Sequence, residues 1–343
     1  MDSVNKIVIS VSGGLGDTIE LLPIFSKFQG YIVISDLYKE LFSLYNFKII
    51  WWEEKKGELE NIIRITKKIY EIKPEIVYGT YPNGRRINLL LALSPGKKIF
   101  CDDGNYNLKR LVSIAKLSSG AYPIKIPFEE KLTYRERNSI ILGITPEYPF
   151  EFAEIEEYKK EAEEFAKSKY ALIHPGVKYK TRAWDINKFI KIAKKILLEG
   201  INVVFALGKE DKEESSIIND NFRKEEKQDK VRILFGESIN KVISYGKRAF
   251  FSLCNDSAVA HITGIAGVKT FVIYGYTRYY HTAPPNSEII RLDLPCSPCY
   301  NFAKGELAVK KECKINIACL REISENMVWE KIKNFLYKNH KFF

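Results

Sequence analysis

The sequence contains no apolar run that approaches the roughly 20 residues of a membrane-spanning helix. Its six cysteines in 343 residues are too few for a disulfide scaffold. Zinc-finger and RNA-recognition motifs, short-period repeats and low-complexity tracts are absent, which argues against nucleic-acid-binding, solenoid and disordered classes. The amino terminus, MDSVNKIVIS, carries an acidic residue and lacks the basic and apolar regions of a signal peptide. We therefore expect a cytoplasmic protein whose partners do not include nucleic acid.

Basic residues exceed acidic ones, with 54 Lys and Arg against 43 Asp and Glu and a formal net charge of +11. Such an excess favours polyanionic partners, here phosphorylated substrates or an anionic membrane surface. The final segment, IKNFLYKNHKFF, interleaves basic and aromatic residues as membrane-surface segments do. The same pattern is typical of a docked terminal helix with a frayed end. Peripheral contact with an acidic membrane surface is therefore an expectation.

Strand-like and helix-like segments alternate in two series, one from Lys6 to Lys98 and one that starts at Tyr170. This alternation predicts parallel strands joined by crossover helices. Between the series lies ITPEYPFEFAEIEEYKK, whose prolines and acidic residues indicate a linker. We predict an α/β protein with two doubly wound, Rossmann-like domains facing each other across a cleft. The predicted bounds are 1–152, 153–325 and, for a C-terminal helix or tail, 326–343.

The first predicted strand runs into SGGLGDTIELLP, where Gly13, Gly14 and Gly16 allow the backbone to approach a ligand closely. The stretch lacks the third glycine of a G-x-G-x-x-G fingerprint and the lysine of a P-loop, so it does not indicate a dinucleotide or nucleoside-triphosphate site. Asp17 stands at the predicted helix start. Its carboxylate there either caps the helix or acts as a base.

In the second series, HPGVKYKTRAW concentrates Lys178, Lys180, Thr181 and Arg182 in one loop after a strand. Cationic and hydroxyl side chains in this position suit a diphosphate, because guanidinium and ammonium groups bind phosphate oxygens with charge-assisted hydrogen bonds. A solvated basic loop has the same composition. Both interpretations stay open at this point.

Two further strand ends carry polar residues. LGKED places Glu210 and Asp211 where a carboxylate accepts hydrogen bonds from ribose hydroxyls, or where an exposed acidic helix begins. In SLCNDSAVAHITGIAG, Asp256 and Ser257 lie between an apolar strand and an apolar helix that contains His261. The N–H groups of such a helix attract anions, although Asp256 or Ser257 could also serve as a helix cap.

Four of the six cysteines cluster late, in PCSPCYNFAKGELAVKKECKINIACL. They are Cys296, Cys299, Cys313 and Cys319. This spacing is compatible with zinc or iron bound by four thiolates and also with free thiols. A disulfide is less favoured in a reducing cytoplasm.

Together, these motifs resemble the heptosyltransferase family of glycosyltransferases, family 9, which includes the ADP-heptose:lipopolysaccharide heptosyltransferases. The matching pieces are GGLGDTIELLP, IHPGVKYKTRAWDINKF, ALGKED, CNDSAVAHITGIAGVKTFVIYGYT and PCSPCY. The resemblance is nearly continuous from about Tyr170 to Tyr300, and in the first domain it rests on the opening strand, loop and helix. It implies a GT-B fold with an acceptor-binding amino-terminal domain and a nucleotide-sugar-binding carboxyl-terminal domain.

The resemblance also implies roles for individual residues. Members of the family invert the anomeric configuration without a metal ion, and Asp17 matches the general base that takes the proton of the acceptor hydroxyl. Arg182 matches the residue that holds the diphosphate, and Glu210 the one that meets the ribose. The implied donor-binding set is Gly13, Gly14, Gly16, Lys180, Thr181, Arg182, Glu210, Asp256, Ser257 and His261.

Donor, acceptor and cofactor expectations follow from the same resemblance. The favoured donor is ADP-heptose, and the acceptor is a glycan, a glycolipid or a protein. Catalysis requires no cofactor, although some protein-modifying members carry iron on four cysteines, which implies a structural Zn or Fe site here.

The chain departs from the family pattern in YTRYYHTAPP, which replaces the usual acidic-proline sequence. Arg278 and His281 are therefore candidates for altered donor specificity, while His281 also fits a surface histidine. Two other classes of function stay open. A nucleotide-sugar epimerase would convert the donor without any acceptor, and a non-catalytic nucleotide- or glycan-binding module would not need the intact Asp17.

Overall fold

The structure is a computed structural model of the 343-residue chain, and it describes residues 5–11, 13–104, 118–222, 228–299 and 312–340. The chain divides into two compact units, residues 1–147 and 148–343. Within the described ranges, no helix is both long and apolar enough to cross a membrane.

The first unit contains a six-stranded parallel sheet in the order β3-β2-β1-β4-β5-β6. This is the Rossmann order, in which the strand order reverses between β1 and β4. The elements are β1 (Lys6–Ser10), α1 (Leu15–Phe25), β2 (Tyr31–Ser35), a 3₁₀ turn (Asp36–Tyr38), α2 (Lys39–Phe42), β3 (Lys48–Trp52), α3 (Glu58–Ile72), β4 (Ile76–Gly79), α4 (Arg85–Leu93), β5 (Lys97–Asp102), β6 (Ala121–Lys125) and α5 (Tyr134–Leu142).

The central strands of this sheet are mostly apolar, because helices cover both faces of a parallel sheet. Ile7, Val8 and Ile9 of β1 are completely buried. Helix α3 contributes Ile62 and Ile65 to the same core, at the spacing of one helix face. The core therefore lies against the strands. Because all strands are parallel, their carboxyl ends lie at the same edge of the sheet.

The second unit repeats the arrangement, with the sheet order β12-β11-β10-β7-β8-β9 and parallel pairing throughout. Counted from β7, this is again the Rossmann order, and the reversal lies between β7 and β10. The elements are α6 (Glu156–Phe165), β7 (Tyr170–His174), a 3₁₀ turn (Lys180–Arg182), α7 (Ile186–Leu198), β8 (Asn202–Leu207), α8 (Lys212–Phe222), a 3₁₀ turn (Gln228–Lys230), β9 (Val231–Phe235), α9 (Ile239–Arg248), β10 (Phe251–Asn255), α10 (Ala258–Ile265), β11 (Thr270–Ile273), α11 (Tyr279–Thr282), β12 (Ser287–Ile290), α12 (Ala318–Arg321) and α13 (Glu325–His340).

Helix α13 completes the core of the second unit. Val328, Ile332 and Leu336 lie on one face of the helix and are buried with the residues of β7, β8 and β10. The ring of Phe335 lies 5.4 Å from that of Phe250. The interpretation of the tail as a docked helix is confirmed for this segment, and residues 341–343 lie outside the described residues.

Candidate functional site

The loop after β7 and the end of β10 meet at the switch point of the second sheet. Residues 178–182, here called the basic loop, end in Arg182, whose Nη1 lies 3.3 Å from Oδ2 of Asp256. The two side chains are only 23% and 8% exposed. Asp256 follows β10 directly, so this ion pair joins the two strand ends at which α/β proteins bind ligands.

Asn255 fixes the same junction, although the sequence assigns it no binding role. Its side chain is fully buried, and its Nδ2 donates to the carbonyl oxygen of Pro175 at 2.7 Å. Its Oδ1 accepts from the N–H of Trp184 at 3.2 Å. An amide does both because it is donor and acceptor at once. The sequence marks it only as the first residue of the polar stretch Asn255–Ser257 between an apolar strand and an apolar helix.

Helix α10 begins directly after Ser257, but the Ser257 side chain does not cap it. Its hydroxyl has no hydrogen-bond partner among the described residues, so the prediction of a Ser257 side-chain cap is wrong. The first turn of a helix has N–H groups without intrahelical partners, and these attract an anion. His261 is 6% exposed and lies one turn into the same helix.

The remaining side chains of the basic loop point to other partners. Lys180 is exposed and forms an ion pair with Glu214 of α8. The Thr181 hydroxyl lies 2.7 Å from the Tyr276 hydroxyl. The structure therefore brings Arg182 to Asp256, whereas Lys180 is turned toward a different helix.

The two acidic residues after β8 have different environments. Asp211 is 2% exposed, and its Oδ2 accepts from the N–H of Gly208 at 2.9 Å. Glu210 is exposed, and its carboxylate lies so close to Gly208 that a Cβ there would be 2.7 Å from Glu210 Oε1. Asp211 therefore holds the turn together, and Glu210 is the carboxylate that a ligand can reach.

A half-buried histidine lies behind this turn. His174 Nδ1 lies 2.7 Å from the carbonyl oxygen of Ala206 and therefore carries the proton of that hydrogen bond. Burial lowers the pKa of His174 and raises the pKa of Asp211. A Cβ at Gly176 would collide with Asp211 Oδ2 and lie 2.9 Å from His174 Cε1. Glycine at 176 is what allows the loop to pass this pair.

In the first unit, Asp17 lies in the first turn of α1, and Gly16 lies within the same turn. The N–H of Gly14 donates to Asp17 Oδ2 at 2.7 Å, which confirms that this carboxylate caps the helix. The Tyr38 hydroxyl donates to the carbonyl oxygen of Gly13 at 2.8 Å. Burial raises the pKa of Tyr38, and the nearby charge of Asp17 raises it further. The base role of Asp17 stays a prediction.

The four late cysteines lie in one neighbourhood. Burial raises the pKa of the Cys319 thiol to about 11, and Cys299, Cys313 and Cys296 add to that shift. Among the described residues, however, no group of three or more His, Cys, Asp or Glu side chains has an arrangement that could hold a metal ion. The zinc or iron site on the four cysteines therefore stays a prediction.

His281 lies in α11 and is completely buried. The interpretation of this residue as a surface histidine is therefore wrong. Its ring centroid lies 4.6 Å from that of Tyr280, within a short run of aromatic residues. Sequence patterns do not reveal such burial because α11 is only four residues long.

A Rossmann-ordered sheet with a cation and an uncapped helix start at its switch point is typical of proteins that bind phosphorylated ligands. The chain belongs to glycosyltransferase family 9, the heptosyltransferases, whose sequence profile matches residues 138–309. The predicted family and its glycosyltransferase activity are thereby confirmed.

Individual relatives of known sequence or structure align with nearly the whole chain. Lipooligosaccharide heptosyltransferase 2 of Campylobacter jejuni is 25% identical over 365 residues, which cover 98% of this chain and 99% of that protein. A family 9 glycosyl transferase from Veillonella parvula has a TM-score of 0.73 at 18% identity, covering 98% and 99% of the two chains. ADP-heptose lipopolysaccharide heptosyltransferase II of Escherichia coli has a TM-score of 0.70 at 15% identity, covering 98% and 100%. The predicted α/β class, with two Rossmann-like domains of GT-B type, is confirmed by these structures and the two sheets.

Proposed function

We propose that this protein is an inverting glycosyltransferase that moves heptose from ADP-heptose to a hydroxyl of a lipopolysaccharide-type glycan, without a metal ion in the chemical step. The observation that carries the proposal is the Arg182–Asp256 ion pair beside the uncapped start of α10. The names of the relatives from Campylobacter jejuni and Escherichia coli support heptose, ADP-heptose and a lipopolysaccharide-type acceptor.

The donor diphosphate binds between Arg182 and the first turn of α10. Negative charge grows on the diphosphate as the glycosidic bond breaks, and fixed donors aimed at that charge stabilise the transition state. Asp256 cannot favour the same charge, so its role is to hold Arg182 in place. The exposed carboxylate of Glu210 accepts hydrogen bonds from the ribose hydroxyls.

Asp17 acts as the general base. The acceptor oxygen attacks the anomeric carbon from the face opposite the diphosphate, its proton passes to the Asp17 carboxylate, and the carbon–diphosphate bond breaks. Attack from the opposite face inverts the configuration of the carbon. The hydrogen bond from the Gly14 N–H orients the carboxylate, which supports a base of fixed position.

Thermal unfolding against a panel of ADP-, UDP-, GDP- and CDP-sugars, with and without chelator, tests the donor. A ligand at a hundred times its dissociation constant stabilises by about 2.7 kcal/mol, which shifts the midpoint by several degrees. We expect a selective shift with ADP-heptose that chelator does not change. A panel without any shift would contradict the proposal, and conversion of the donor without acceptor would identify an epimerase instead.

We further propose a cytoplasmic location with peripheral contact to an acidic membrane surface. The formal charge of +11 supports this contact, because basic residues near an anionic surface bind through attraction that salt screens. Sedimentation with anionic liposomes should fall as salt is added, and neutral liposomes serve as the control. Binding that salt does not weaken would contradict the electrostatic contact.

A further inference from the structure

Tyr276 connects the basic loop to the cysteine-bearing part of the second unit. It follows β11 and is only 2% exposed. Its hydroxyl lies 2.7 Å from the Thr181 hydroxyl, and Thr181 immediately precedes Arg182. The Tyr276 side chain, which follows β11, therefore contacts the basic loop next to Arg182, the candidate diphosphate ligand.

The main chain around Tyr276 is held from the opposite side. The N–H of Cys299 donates to the carbonyl oxygen of Tyr276 at 3.1 Å. The Ser297 hydroxyl donates to the carbonyl oxygen of Gly275 at 2.9 Å. Tyr276 also shares a small buried cluster with Cys319. The tyrosine is thus fixed between the cysteines and the loop.

The basic loop needs such support because much of it is solvent-exposed. Lys178 and Lys180 are exposed, and the Tyr179 side chain is 40% exposed. A mobile loop loses conformational entropy when it orders around a ligand, and a loop already held in the binding conformation avoids that loss. A hydrogen bond at Thr181 restricts the backbone next to Arg182.

We infer that Tyr276 is a positioning residue that holds the basic loop, and with it Arg182, in the conformation that binds the donor diphosphate. The inference rests on the proposed function of the basic loop as the donor site. Tyr276 lies within the matching stretch CNDSAVAHITGIAGVKTFVIYGYT, but the resemblance implies no role for it. The inference adds that role, and it links donor affinity to the segment that carries Cys296 and Cys299.

The first test is Tyr276→Phe, which removes one hydroxyl and keeps the ring. We expect donor affinity, measured by calorimetry with ADP-heptose, to fall by about three- to tenfold, the usual effect of one lost hydrogen bond. KM for the donor should rise by the same factor, with kcat changed by less than about twofold, because the contact acts on binding.

Tyr274→Phe is the matched control. Tyr274 is also fully buried on the same chain segment, and its hydroxyl lies 3.3 Å from the Thr282 hydroxyl, away from the basic loop. Thermal unfolding should be similar for the two variants, and only Tyr276→Phe should bind the donor more weakly. Equal donor affinity of the two variants would overturn the inference.

A double variant separates positioning from a general structural effect. Thr181→Val should weaken donor binding as Tyr276→Phe does, and the combined variant should be no weaker than either alone, because both changes remove one contact. Additive losses would contradict a shared contact. If the wild type binds no nucleotide sugar, the proposed function fails; if it binds and Tyr276→Phe binds equally well, only the positioning role fails.

The exposed Cys296 and Cys299 allow a test of the contact between the cysteine segment and Tyr276. Alkylation of Cys296 and Cys299 with iodoacetamide should lower donor affinity in the wild type and have a smaller effect in Tyr276→Phe. A variant with serine at both positions is the control for labelling elsewhere. Unchanged affinity of the alkylated wild type would overturn the link between the cysteine segment and the loop.

Discussion

The two units have the same strand order but carry different chemistry at their switch points. In the first unit, the loop after β1 contains Gly13 and Gly14 and leads to the carboxylate of Asp17. In the second unit, the loop after β7 carries cations, and Arg182 pairs with Asp256 after β10. The topology determines where a ligand site lies, whereas the residues that follow the strands decide what the site can bind.

The two loops also differ in how they are held. The loop after β1 is held over shorter separations, three residues for the Gly14–Asp17 hydrogen bond and 25 for the Tyr38–Gly13 hydrogen bond. The loop after β7 is tied to distant parts of the chain, through Asn255 at a separation of 80 residues and through Tyr276 at 95. Long-range ties of this kind fix a binding site before the ligand arrives, which is what our proposal requires of the unit that would hold the leaving group.

The largest expected effect concerns the first unit. Asp17→Asn should lower kcat by about a hundredfold or more, because a positioned base contributes roughly 10²–10⁴-fold. Donor affinity should stay nearly unchanged, since the donor binds to the second unit in our proposal. Steady-state turnover and calorimetry measure the two quantities. Glu40→Gln, an exposed change of the same charge in the same unit, is the control. Lost donor binding with residual turnover would reverse the assignment.

The next effect concerns the second unit. Arg182→Met should weaken donor binding by about ten- to a hundredfold, because hydrogen bonds to charged groups contribute about 1.5–3 kcal/mol. Lys191→Met removes one charge from an exposed ion pair with Glu325 and should leave donor affinity unchanged. Comparable affinities of the two variants would show that the total charge, and not Arg182, binds the donor.

The third prediction compares a tightly packed glycine of the second unit, Gly176, with an unpacked glycine of the first unit, Gly57. Gly176→Ala should reduce the free energy of unfolding by about 1–3 kcal/mol, because its Cβ meets the side chains of the buried Asp211 and the half-buried His174. Gly57→Ala in the first unit is the control, since its Cβ would meet nothing within 4 Å. Thermal unfolding measures both variants. An unchanged midpoint for Gly176→Ala would mean that the pair moves aside freely.

The smallest effect depends on pH. Arg248 and Lys247 hold the pKa of Glu154 below its ordinary value of 4.5, against the opposing effect of burial. A depressed carboxyl pKa stabilises the folded state above the unfolded pKa, and this stability is lost as pH falls through the folded pKa. Glu154→Gln should therefore lower the midpoint by a few degrees at pH 7, and the difference from the wild type should shrink below about pH 4.5. A difference that does not vary with pH would contradict the ion-pair origin.

An exposed ion pair, Lys27–Glu147, is the control for the predicted effect of Glu154→Gln on stability. Glu147 of the first unit pairs with Lys27, and its side chain is 84% exposed. Exposed ion pairs contribute little to stability because water and salt screen them. Glu147→Gln should therefore leave the unfolding midpoint unchanged at every pH at which Glu154→Gln lowers it.

Regular periodicity made much of the fold predictable. The predicted alternation of strands and helices is found in both sheets, and Val203–Leu207 form a continuous apolar run in β8. The short elements β12, α11 and α12 were not predicted, because their four residues, SEII, YYHT and ACLR, form neither a continuous apolar run nor a helical stripe.

The candidate site was predictable as a set of strand ends, but its internal contacts were not. The sequence places Glu210 and Asp211 side by side, and only the turn geometry shows that Asp211 is buried while Glu210 is exposed. The Thr181–Tyr276 contact spans 95 residues and has no local pattern. Tertiary packing decides such contacts, so a single sequence does not contain a visible signal for them.

The position of α13 bears on how the chain folds during its synthesis. The first unit has all of its residues once position 147 has been made. The core of the second unit, in contrast, needs Ile332 and Leu336 against strands that begin at Tyr170. Since translation adds about 5–20 residues per second, the ribosome-bound chain spends many seconds with a finished first unit and an uncovered second core. During that interval the apolar strands β7, β8 and β10 lack the helix that covers them in the finished unit.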